Sequence, residues 1–246
     1  MPDLTLAQWS LLVLCALFTG LAKTGIPGLG TLAVTLAALA LHGEVQRSAG
    51  LLLPLLCFAD VLGVWWFRRH AQVRSLWELL PWVACGMVLG AAALLLDATL
   101  LRRLVAGIIL VMVVLQFVRA RLESAAPWPG FYGSTAGFAT TVANAAGPVM
   151  SLYLLARRLP KEEFIATGAW FFLVVNLTKL PIYAAQPCWG GPRMITGASL
   201  LTDACLLPAV FLGAYAGRRL VGHIPQLWFE RAVLGLAIVG ALMLLR

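Results

Sequence analysis

The residues able to do chemistry in this chain are few, and they stand inside apolar sequence. Asp60 lies in PLLCFADVLGVWW, near the centre of a long apolar run. A carboxylate at the middle of a bilayer costs roughly 2.5–3.5 kcal/mol on insertion scales, so it must be protonated, paired or facing water. Proton coupling or pairing with a lysine is one reading of Asp60; a structural hydrogen bond is the other. Asn176 and Lys179, in WFFLVVNLTKLPIYAA, are three residues apart and share one helical face. Lys179 falls about five residues past the midpoint of its run, roughly 7 Å from centre at the helical rise. From there it either faces an interior site beside Asn176 or snorkels to the outer interface. Asp203, in the first third of another run, is a weaker case.

A second set of candidates surrounds two helix-hostile stretches. The first is KTGIPGLG, Lys23 to Gly30; the second is ANAAGP, Ala143 to Pro148. Glycine and proline open backbone hydrogen bonds, which membrane depth tolerates only against protein or a water-filled cavity. Half-helix ends expose N–H groups that favour anions and C=O groups that favour cations. Lys23, Thr24, Gly25, Pro27 and Gly28 are the binding candidates at the first break, with Thr31 nearby. Asn144, Gly147 and Pro148 are those at the second, with Thr140 and Thr141 beside them. The plainer reading is that glycine and proline kink the helices for close packing, with threonines bonding back to their own helix. The recurrence of the break at matched positions favours a site, with both breaks expected to line one cavity near the membrane midplane.

Several chemistries find no residues to carry them. The five cysteines are scattered, no C-x-x-C pair exists, and His42, His70 and His223 lie far apart, so no metal site, haem or iron–sulfur cluster is expected. There is no Walker sequence and no Ser/His/Asp constellation, so neither a catalytic residue nor a cofactor is expected.

The elements that position these residues follow from composition. Of 246 residues, 61% are hydrophobic and 11% charged, with mean hydropathy +0.92. A soluble chain carries about 25% charged residues, so this one belongs in a bilayer. The net charge of +8 is gathered in short clusters between apolar runs, which marks membrane topology and excludes nucleic acid. The N-terminus, MPDLTLAQWS, lacks a basic leader and reads as part of a first helix. Apolar runs fall at 8–22, 29–42, 48–67, 76–96, 100–118, 129–143, 148–157, 164–185, 196–217 and 227–245. Most approach the roughly 20 residues needed to span; 8–22, 29–42, 129–143 and 148–157 are too short and form two broken pairs. Trp65, Trp66, Trp77, Trp82 and Trp228 read as interfacial anchors.

The two halves correspond. Gly28 and Gly147 close matching segments 119 residues apart, Gly50 and Gly168 open the next spans 118 apart, and LLRRLVAG matches WFERAVLG 128 apart. If each broken pair returns to its own side, ten basic residues face one compartment: Arg68, Arg69, Arg74, Arg119, Arg121, Arg157, Arg158, Lys161, Arg218 and Arg219. Five face the other: Arg47, Arg102, Arg103, Arg193 and Arg246. The rich side is cytoplasmic. This predicts an all-α polytopic membrane protein of two inverted-topology repeats, each a broken or re-entrant helix pair followed by three transmembrane helices. The repeats are 1–121 and 129–246, joined by a loop at 122–128, and both termini lie outside the cytoplasm.

With the breaks and the repeat in view, the chain resembles the sulfite exporter TauE/SafE family of membrane transporters over nearly its whole length. The resemblance rests on TGIPGLG, on ANAAGP, on the polar NLTK span and on the LRRLVAG-like closing helix of each half. Family members often show a fuller glycine run at the first break, which Ile26, Pro27 and Leu29 dilute here. The resemblance implies transport of a small sulfur-containing anion, sulfite or an organosulfonate, across the inner (cytoplasmic) membrane by alternating access. Lys23, Lys179 and the half-helix N-termini suit an anion. The expected partners are that anion and membrane lipid, with a homodimer as the assembly to look for. Two other readings remain beside it: a carrier of a cation or neutral solute using Asp60 and Asp203, and a membrane assembly subunit that transports nothing.

Overall fold

Thr5 starts the first helix. Its hydroxyl accepts from the Gln8 N–H at 3.3 Å, while Gln8 Oε1 accepts from the Thr5 N–H at 2.8 Å, a reciprocal cap. Helix α1 then runs Leu6–Thr24. The apolar run at 8–22 is therefore not a short segment: the helix takes in Lys23 and Thr24 and reaches 19 residues, enough to cross a membrane. A cation is welcome there, because Lys23 stands among the unpaired carbonyls of the last turn. The chain stops at Gly25, whose N–H donates to Leu21 O at 2.8 Å, and the Ile26 N–H reaches the same carbonyl at 3.1 Å. Gly28 then takes φ 102°, a left-handed conformation that a side chain would strain. Helix α2 (Leu29–Ala40) begins immediately after it, with the Thr31 hydroxyl donating to Gly28 O at 2.7 Å.

This computed structural model describes residues 4–41, 45–93, 100, 103–104, 106–111, 113–114, 127–143, 146–189 and 193–244, and every regular element among them is helical. The chain continues as α3 (Val45–Phe67), a 3-10 turn at Arg68–His70, and α4 (Val73–Ala93). Helical residues follow within 100–114. Next come α5 (Pro129–Ala143), α6 (Ala146–Ala156), α7 (Lys161–Ala185), a 3-10 turn at Gln186–Trp189, α8 (Gly197–His223) and α9 (Gln226–Leu244). His42, Arg102, the Arg119–Arg121 loop, residues 122–126 of the connecting loop, Asn144 and Arg246 lie outside the described residues. Among the described residues, four helices are long and apolar enough to cross a membrane: Leu6–Thr24, Arg47–His70, Lys161–Ala185 and Gly197–His223. The protein is an all-α, multi-pass membrane protein.

At the second break the described residues begin again with a helix. Helix α6 already starts at Ala146, so Gly147 and Pro148 belong to its first turn. Proline fits there because the N–H it lacks would have no helical partner.

The chain divides into two compact units. The first comprises Met1–Arg69 and Ala169–His223, hence α1, α2, α3, most of α7, and α8. Its core gathers Leu12, Ala16, Leu51, Leu55, Ala59, Leu206 and Val210. In it α1 and α8 lie backbone to backbone. A side chain on Gly20 would collide with the Val210 carbonyl, and one on Gly213 with that of Leu17. The second unit comprises His70–Gly168 and Ile224–Arg246, hence α4, α5, α6, the start of α7, and α9. There α4 and α5 make the same kind of contact, with Gly86 against the Ser134 carbonyl and Gly137 against that of Val83. Small residues allow this approach, which lets dispersion forces hold helices together in lipid. Among the tryptophans expected at interfaces, Trp65, Trp77, Trp82 and Trp228 are exposed and Trp66 is half-buried.

Candidate functional site

Polar chemistry in the first unit converges on the end of α1. Lys23 arrives in the last turn of that helix, and Asp60 faces it from α3. Their side chains meet at 2.9 Å between Nζ and Oδ1, with the Asp60 side chain wholly buried and that of Lys23 only 10% exposed. The second carboxylate oxygen accepts from Asn176 Nδ2 of α7 at 2.7 Å. Lys23 Nζ also stands 3.8 Å from the centre of the Phe172 ring, one turn before Asn176 on α7. A desolvated ammonium over an aromatic face is stabilised by about 2 kcal/mol or more.

Lys179 completes the cluster. It is buried, one turn beyond Asn176, and close enough to Lys23, Cys57 and Asp60 to interact with them electrostatically. It does not reach out to the interface as a snorkelling lysine would. Two ammonium side chains and one carboxylate thus gather within low-dielectric surroundings, where charge acts far more strongly than at a wet surface.

The local backbone explains how three helices come so close. Gly63 lies three residues after Asp60 on α3. A side chain there would sit 3.0 Å from Ala169 Cβ and 3.2 Å from the Lys23 carbonyl. Thr24, by contrast, turns away from the ion pair: its hydroxyl donates to Ala214 O of α8 at 2.6 Å. Gly25 is equally committed to that packing, since a side chain on it would stand 2.7 Å from Gly217 Cα. Pro27 and Gly28 shape the turn into α2.

The structure therefore brings together Lys23, Asp60, Asn176 and Lys179. Gly147 and Pro148 belong to the second unit, where Thr141 bonds back to Gly137 O at 2.9 Å. Asp203 is buried in α8, and its carboxylate oxygens have no hydrogen-bond partner among the described residues. Phe172 and Gly63 were not singled out from sequence, although their spacings from Asn176 and Asp60, four and three residues, place them on the same helical faces. Among the described residues, no three His, Cys, Asp or Glu side chains gather to hold a metal ion.

At the basic ends of the helices, Arg157 Nη2 donates to Ser75 Oγ at 2.7 Å, and Arg74 Nε donates to Glu78 at 3.0 Å.

A family model described as "Sulfite exporter TauE/SafE" matches residues 12–244. No curated protein and no solved structure matches the chain.

Proposed function

Since the chain belongs to the sulfite exporter TauE/SafE family and is a membrane transporter of anions, not an enzyme, we propose that it is a secondary carrier of sulfite or an organosulfonate whose binding site is the Lys23 cluster. The observation that carries this reading is the burial of the Lys23 ammonium beside the α1 break, with Lys179 in electrostatic reach. A sulfonate or sulfite group offers three oxygens, and charge-assisted donation from lysine is the chemistry that holds it. Helix α2 begins directly after the break, and the positive end of its dipole favours an anion there. The cation-carrier reading would use Asp60 as ligand, yet both Asp60 oxygens are already engaged by Lys23 and Asn176.

Alternating access between two inverted repeats is the transport mode in this proposal. Its support is the packing: under the repeat, α1 corresponds to α5 and α4 to α8. Each unit then pairs the first helix of one repeat with the fourth of the other. The glycines at these contacts recur with the same spacing, Gly86 and Gly90 on α4, Gly213 and Gly217 on α8. In the proposed orientation both termini lie outside the cytoplasm. A reporter fused after Arg246 is then active outside, and one in the Arg119–Arg121 loop inside; activity on one side for both overturns it. Flux into proteoliposomes, run with sulfite, methanesulfonate, sulfate and a panel of metal cations, tests the substrate. Sulfite or methanesulfonate should move and the cations should not; cation flux without anion flux contradicts the proposal.

A further inference from the structure

Lys23 is neutralised before any solute arrives. Asp60 supplies the charge at 2.9 Å and is itself held in place by Asn176 at 2.7 Å. A carrier must change conformation twice per cycle, once loaded and once empty. On the loaded leg the anion neutralises Lys23. On the empty leg an unpaired ammonium would have to cross the same low-dielectric region alone, which is strongly disfavoured.

From this pairing we infer that Asp60 is an internal stand-in for the transported anion, which lets the empty carrier return and so makes net one-way transport possible. The inference rests on the anion site proposed above and specifies its transport mode. Solute and Asp60 take turns on Lys23. When the anion binds, Lys23 turns from the carboxylate to it and Asp60 takes up a proton from the water reaching the open site, so that no unpaired carboxylate crosses; when anion and proton leave, the Asp60 carboxylate closes back onto the ammonium. A carrier with no such internal counter-ion is an obligatory exchanger, because only another anion can bring its cationic site back.

The surroundings of Asp60 fit this alternation. The charged and titratable groups that reach it are Lys23 from α1, Lys179 from α7 and Cys57 one turn earlier on α3. Helix α2 carries no ionisable side chain. The buried acid of α8, Asp203, is not among the groups that act on Asp60. Asn176 is a neutral donor that keeps Asp60 aimed in either state. Phe172 offers Lys23 an aromatic face at 3.8 Å while it changes partners.

The test separates net transport from exchange. Proteoliposomes holding the full chain are loaded with ³⁵S-labelled sulfite under anaerobic conditions and diluted into medium with or without unlabelled sulfite. The native chain should release label at rates within about threefold in the two media. In Asp60→Asn the ratio of net efflux to exchange should fall at least tenfold, and Asp60→Glu should restore it. A merely structural Asp60 would lower both modes in parallel, leaving the ratio unchanged, and that result overturns the inference. The native chain decides the matter even if Asp60→Asn fails to fold: efflux that needs external sulfite shows an exchanger, and the stand-in role is wrong. If native protein moves sulfite in neither mode, the sulfite proposal itself fails, a result visible before any substitution is made.

Discussion

The two breaks use the same backbone device and differ in what surrounds it. In each unit a helix ends beside glycines that press against a neighbouring helix, Gly20 with Gly213 in one and Gly137 with Gly86 in the other. At the first break, Lys23 is paired with Asp60 and joined by Asn176, Phe172 and Lys179. At the second, residues 129–156 contain no charged side chain at all. Helix α6 is instead buried on nearly every side through Val149, Met150, Leu152 and Tyr153. An interrupted helix is thus a way of packing and turning the chain; chemistry requires charge placed at the interruption. Among the described residues only the first unit has it, so a change to charge should be felt there alone, whereas a change to packing should be felt in both.

The largest effect expected is common to the two units. Gly213→Leu and Gly86→Leu each drive a side chain into a backbone carbonyl of the facing helix. Neither neighbour can move as a flexible side chain would, so both variants should lose most folded protein, read as the monodisperse fraction on size exclusion after membrane extraction. Survival of one but not the other would show that the packing device is not shared.

A smaller, one-sided effect belongs to charge. Lys179→Gln should slow sulfite flux about tenfold, equivalent to roughly 1.4 kcal/mol in the barrier, while Lys179→Arg, which keeps charge but changes its geometry, should lose less. In the second unit Met150→Leu, of similar volume, should leave flux within about twofold. Equal losses at the two positions would remove the distinction between the units.

The smallest effect compares two threonines. Thr24 donates across to Ala214 of α8, and Thr141 donates back to Gly137 of its own helix. An interhelical hydrogen bond in a membrane is worth about 0.6 kcal/mol on average and up to about 1.7. Thr24→Val should therefore lower the thermal midpoint by a few degrees and Thr141→Val by almost nothing. The reverse order would mean that the α1–α8 contact is not what Thr24 secures.

Much of the helical layout was legible because lipid imposes one simple rule, apolar side chains over a span. The run at 129–143 coincides with α5, and 29–42 differs from α2 by two residues. Where the reading failed, a polar residue was stabilised by something distant. Hydropathy ends the first run at 22, but Asp60 neutralises Lys23 and the helix continues to Thr24. The run at 196–217 likewise stops short of α8, which continues past Arg218 and Arg219 to His223, with Arg218 lying over Trp66 at 5.3 Å. Pro148 looked like part of a break because proline is hostile to helix interiors, yet the first turn accepts it. The site was legible as a list and not as an arrangement. Sequence marks Asp60 as a residue in need of a partner; that Lys23 is the partner depends on how α1 meets α3, and Gly63, which permits the meeting, carries no chemical signal of its own.

The central claim is that the Lys23 cluster holds the anion. Its most direct test is calorimetric titration of sulfite into purified native protein and into Lys23→Gln, with far-UV circular dichroism establishing that both are folded. The account predicts measurable binding by the native chain and affinity at least a hundredfold weaker in the variant. Equal affinity in the two folded proteins would contradict it.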